Sequence, residues 1–196
     1  MRKHRLWLVL LILGSLGLIV LFLQLPKQPP AAVDKMQQMD PDSLKLRQAI
    51  DLVEGANPME GIMQLRELIT KDSTNVDAQY YLGLFSVKSG QYDKAIDRFN
   101  KVLALRPDDI KYQVEVGYQL MVMDSAVLAL RCFEKGLELD STDNNSLFFS
   151  AQALERLNRP ADAKRNYETL LRHNTDSVVA EKVNEFIEVL NKKLIP

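Results

Sequence analysis

Only one cysteine, Cys132, and two histidines, His4 and His173, occur in 196 residues. A lone thiol cannot close an intramolecular disulfide. Two imidazoles so far apart cannot supply the three or four clustered ligands of a zinc site. A glycine-rich phosphate loop, a Gly-x-Ser-x-Gly elbow and a His-Glu-x-x-His pair are all missing, and each is the local device its chemistry requires. Acidic pairs such as Asp108-Asp109 sit at turns, where they serve first as helix caps. The expectation is therefore no catalytic residue, no metal, no cofactor and no small-molecule substrate: not an enzyme. A basic block is missing too. The chain balances 25 Lys and Arg against 26 Asp and Glu, but Arg2, Lys3, Arg5 and Lys27 all precede residue 31. The remainder carries 21 against 26, a net of −5, which argues against a nucleic-acid partner.

What the chain does have is a period. Leu82-Gly83, Ala95, Phe99 and Pro107 recur 34 residues later as Val116-Gly117, Ala129, Phe133 and Ser141. Another 34 on they become Ser150-Ala151, Ala163, Tyr167 and Thr175. Small residues at fixed offsets let paired helices approach closely, and an aromatic fills the space beside them. A hairpin of this size cannot bury its apolar face alone, so it stacks on its neighbours.

On these residues the chain resembles the tetratricopeptide repeat family, in a single-pass membrane-anchored bacterial form. The best copy runs from Tyr80-Tyr81-Leu82-Gly83 through Gly90-Gln91-Tyr92-Asp93-Lys94-Ala95 to Phe99 and Leu105-Arg106-Pro107. The resemblance implies an all-α solenoid of about four helical hairpins, at 42–75 (degenerate, with Ala49, Gly61 and Leu65 at the small, small and bulky positions), 76–109, 110–143 and 144–177. Gly90, Asn57-Pro58 and Asn158-Arg159-Pro160 should break the helices within copies. Arg106-Pro107-Asp108-Asp109, Asp140-Ser141-Thr142-Asp143 and Asn174-Thr175-Asp176-Ser177 should separate copies and supply N-caps. In 178–196, Val179, Val183, Phe186, Ile187, Leu190 and Leu194 keep three- and four-residue spacing, which predicts a closing amphipathic helix. Cys132, beside Phe133, is expected to be a buried small apolar residue.

Leu6 to Leu25 contains only Ser15 and Gln24 as polar members. At 1.5 Å per residue, twenty residues span roughly 30 Å, the thickness of bilayer hydrocarbon. Residues 6–25 therefore read as a transmembrane anchor. Arg2, Lys3 and Arg5 leave residues 1–5 cytoplasmic and send the repeats to the periplasmic side. The alternative is secretion after signal cleavage, but no small-residue site follows the run. Pro26, Pro29, Pro30 and Pro41 make 26–41 a semi-extended linker.

The resemblance also implies a groove lined by the first helix of each copy. Its positions are Asp77, Tyr80, Leu84, Val87 and Lys88, then Lys111, Val114, Tyr118, Met121 and Val122, then Asn145, Phe148, Gln152, Glu155 and Arg156. Tyr80, Leu84, Tyr118, Met121 and Phe148 would form an apolar centre suited to a protein or peptide client. Some members grip acidic chaperone termini, but here the matching positions hold Leu46, Ile50, Tyr81, Lys111 and Glu115. Only Lys111 is of the required type, so that activity is not implied. The expected role is a membrane-anchored adaptor that holds a client during envelope assembly, as in cytochrome c maturation or secretion. The alternative is a scaffold subunit of a stable membrane-associated complex without client turnover.

Overall fold

Left-handed backbone returns every 34 residues: Gly90 has φ 70°, Asp124 58° and Asn158 56°. At each of these turns a backbone N–H reaches back over the helix end. Gln91 N donates to Ser86 O at 2.8 Å, Ser125 N to Leu120 O at 2.8 Å, and Arg159 N to Leu154 O at 2.9 Å. This is the helix stop that satisfies the last carbonyls by a left-handed residue. Caps repeat on the same beat, with Asn75 accepting from Ala78 N, Asp109 from Lys111 N and Asp143 from Ser146 N. Each such cap is worth about 1 kcal/mol over alanine.

The computed structural model describes residues 40–55, 57–173 and 176–194. The expected cytoplasmic terminus at 1–5 and anchor at 6–25, and nearly all of the linker, lie outside them. Among the described residues no helix is long and apolar enough to cross a membrane. The described secondary structure is helical throughout, with α1 Pro41–Glu54, α2 Pro58–Lys71, α3 Val76–Lys88, α4 Tyr92–Leu105, α5 Ile110–Val122, α6 Ala126–Leu139, α7 Asn144–Arg156, α8 Pro160–His173 and α9 Ser177–Leu194. The chain divides into two compact units, 1–45 and 46–196. The first contributes only Asp40 to Lys45, where the Asp40 carboxylate accepts from Ser43 N and Ser43 Oγ at the opening of α1.

The second unit is a stack. Helices α3 and α4, α5 and α6, and α7 and α8 pack as hairpins, each hairpin leans on the next, and α9 packs on α8. Glycine makes the close approaches possible. A Cβ added to Gly83 would stand 2.5 Å from Phe99 Cε1, and one at Gly117 would strike Phe133 in the same way. The aromatic thus lies directly over the glycine of its own hairpin. In the first hairpin backbone replaces the ring: a Cβ at Gly61 would stand 2.5 Å from Ala49 O.

Two buried polar residues keep the period. Gln79 Nε2 donates to Ser73 O at 3.0 Å, and Gln113 Nε2 to Pro107 O at 2.9 Å, each pinning the turn that precedes its own helix. The left-handed turns yield a graded expectation. Gly90→Ala should lose about 1 kcal/mol and Asn158→Gly should gain a few tenths, read as opposite shifts in the denaturant midpoint. Equal effects at both sites would contradict the assigned turns.

Candidate partner-binding groove

Helices α5 and α7 touch directly along one face, and Tyr112 ties α5 to α3 there. Side chains from successive copies stitch that face. Tyr112 Oη donates to Asp77 Oδ1 at 2.6 Å, joining α5 to α3. Arg156 Nη1 donates to Met121 O at 2.6 Å, joining α7 to α5. Each partner pair is one copy plus one residue apart, so these bonds set the spacing between neighbouring first helices.

At the α3 end, Tyr80 is buried, with its ring 5.7 Å from Tyr81 and 6.0 Å from both Phe99 and Tyr112. Burial, then the neighbouring Glu115, raises the pKa of the Tyr80 hydroxyl. Glu115 is itself raised by burial, against the opposing pull of Lys111 3.9 Å away. At the α7 end, the Tyr118 ring meets Phe149 edge-on at 5.5 Å, and Phe149 stacks on the buried Phe133 at 5.7 Å. Tyr118 remains 47% exposed and Val122, one turn further, 52%. An aromatic held from beneath but open above presents apolar area at low entropic cost.

Not every expected groove residue reaches the surface. Tyr80 and Met121 belong to the core, as does Val87. Phe148 is half-buried, 6.0 Å from both Tyr167 and Phe186, so α9 covers it. Glu155 accepts from Tyr167 Oη at 2.9 Å. Leu84, Val114 and Gln152 are partly open, and Lys88 and Lys111 are exposed. The structure therefore gathers Tyr118, Val122, Lys111 and the partly open residues on this face, and takes four apolar positions, Tyr80, Val87, Met121 and Phe148, into packing. Two residues outside the expected positions support the face from beneath, Phe149 under Tyr118 and the buried Tyr112 bonded to Asp77. Phe149 sits at the copy position held by Tyr81 and Glu115, a mixture with no apolar signal.

Cys132 is buried, and desolvation pushes its thiol up to about 11. A thiol in that state is protonated at neutral pH and a poor nucleophile. Among the described residues no group of three or more His, Cys, Asp or Glu is placed to hold a metal ion.

Residues 76–109 match the tetratricopeptide repeat family profile. No curated protein matches the chain. Solved structures do share its fold. A mutant form of MamA is 22% identical with a TM-score of 0.55, covering 73% of this chain and 86% of its own. A crystal structure of MamA is 18% identical with a TM-score of 0.59, covering 72% and 75%. The Yersinia enterocolitica type III secretion chaperone SycD, solved with a peptide of the translocator YopD, is 19% identical with a TM-score of 0.52, covering 60% and 93%. The matched segment is one whole hairpin, α3–α4, and the next hairpin repeats its ring-on-glycine contact one period later, so the chain carries a tetratricopeptide repeat within an all-α helical-repeat fold.

Proposed function

We propose that this protein is an adaptor whose α3–α5–α7 face holds a client polypeptide, with the repeats tethered on the non-cytoplasmic side of a bacterial inner membrane. Four hairpins closed by α9 form the holder, and residues 6–25 form the anchor. The observation that carries the reading is Tyr118: an aromatic ring seated on Phe149, left 47% open, with exposed Val122 beside it. Lys111, Glu115 and Arg156 place charges of both signs around it. Such a frame suits a short segment with one or two apolar anchors and polar flanks. A secretion chaperone of similar fold was solved in complex with a peptide, which supports a peptide-holding role. Envelope assembly, as in cytochrome c maturation or secretion, is the setting in which an anchored holder of this size would serve.

The test is photo-crosslinking from position 118 in the full-length protein, followed by recovery of the same client with Tyr118→Ala. Phe148 is unsuitable for this purpose, because its loss would disturb packing under α9. Recovery should fall about thirtyfold for a central aromatic anchor. Equal recovery by the variant removes the groove reading. Mass spectrometry of the mature chain tests the tether, and a first residue beyond Leu25 would count against it.

The scaffold alternative rests on a different surface. Met59 and Met63 on α2 and Val127 and Leu128 on α6 are exposed apolar residues on second helices. A fixed oligomer that survives dilution on a sizing column would favour that reading.

A further inference from the structure

A cleft of about 190 Å³ opens between α2, α3 and α4, away from the groove residues. Arg66 of α2 and Lys94, Arg98 and Lys101 of α4 line it, and Asp97 alone of its lining residues is acidic. Four formal positive charges therefore face one negative charge in a partly enclosed space. Arg98 is held in place, its Nη1 donating to Oε1 of the buried Gln79 at 2.6 Å.

The fold does not require this charge. One repeat later a cleft of about 200 Å³ occupies the equivalent place between α4, α5 and α6. There Asn100 stands for Arg66, Leu128 for Lys94, Cys132 for Arg98 and Arg131 for Asp97. The later cleft is apolar with a single cation, so the same backbone geometry is stable without the cluster. Packing like charges around a shared cleft costs free energy unless something compensates. Burial, and next the nearby Arg66, pull the Arg98 pKa below its ordinary value, against the opposing pull of Asp97. An oxyanion placed between the two guanidiniums would reverse that repulsion, and planar guanidinium forks match phosphate oxygens bidentately.

We infer that the cleft between α2 and α4 is a binding site for a phosphate group, free or carried on a small molecule or lipid head group. Ser86 of α3 lines this site beside the four cations. It is distinct from the client site: its four cations lie on the second helices α2 and α4, and none of its lining residues is among those around Tyr118. A repeat protein with such a site would be stabilised at its first junction whenever the anion is present.

The experiment uses full-length protein in detergent and follows thermal unfolding in sodium phosphate against sodium chloride at matched ionic strength. At about tenfold excess over Kd, wild type should rise by about 3–5 °C. The Arg66→Gln/Lys101→Gln variant alters two exposed side chains, so it should keep its helical content and lose most of the rise. Glycerol phosphate, and phosphatidic acid doped into the micelles against phosphatidylcholine, separate the sources. A response to phosphate and glycerol phosphate alone assigns a soluble ligand, and a stronger response to phosphatidic acid assigns a head group. No rise in wild type, or the same rise in the variant, overturns the site. Neither outcome bears on crosslinking from position 118.

Discussion

Phe133→Ala is expected to lower the unfolding free energy by about 3–5 kcal/mol, the range for emptying a fully packed aromatic site. The ring has no exposed surface, stacks on Phe149 at 5.7 Å and lies against Gly117, where a Cβ would collide with it. Its removal therefore leaves a void facing a residue that has no side chain to fill it. Backbone must move for the hole to close, and stacked hairpins resist that movement from both sides. Gly117→Ala in the wild-type background should also destabilise, by about 1–3 kcal/mol, because the methyl is forced onto the ring. In the Phe133→Ala background the same methyl enters vacated space, so the double variant should lose less than the sum of the single losses. Urea titrations of the four proteins measure this cycle. Additive losses would mean that ring and glycine are not in the contact described.

Removing α9 should have a larger effect. Val183 and Leu190 are fully buried, and Phe186 stacks on Tyr167 at 5.4 Å while covering Phe148. Burying these three side chains stabilises the stack by about 5–8 kcal/mol as an upper estimate. That rivals the whole stability of many domains, roughly 5–15 kcal/mol. A chain ending at Asp176 should melt more than about 10 °C lower and aggregate through the uncovered Phe148 and Tyr167. Because each hairpin contacts only its neighbours, the damage should be graded along the chain. Hydrogen exchange should rise in α7 and α8 first and reach α3 and α4 last. Uniform loss across all helices would instead indicate one indivisible folding unit.

The hairpins were legible in the sequence because their signals are local and repeated. Gly83 with Phe99 and Gly117 with Phe133 carry the packing rule within 17 residues of each other. Gly90 and Asn158 likewise announce left-handed turns, but Asp124, at the same position, does not, because aspartate is common at many kinds of site. The groove was legible in direction and not in depth. Copy positions say which way Tyr80, Met121 and Phe148 point. How deeply each sinks depends on Tyr112, Arg156 and Phe186, large side chains supplied by the next copy or by α9. The cationic cleft was not legible at all. Arg66 and Arg98 lie on different hairpins, and each alone looks like an ordinary solvated charge.

The Tyr112–Asp77 and Arg156–Met121 bonds lie along the surface where a visitor would settle, and Asp77 and Arg156 are themselves positions of that surface. A ligand that recruits either side chain must first unfasten a clasp between adjacent hairpins. In the proposed adaptor, occupancy of that face and the fastening of adjacent hairpins would therefore be coupled, each altering the other.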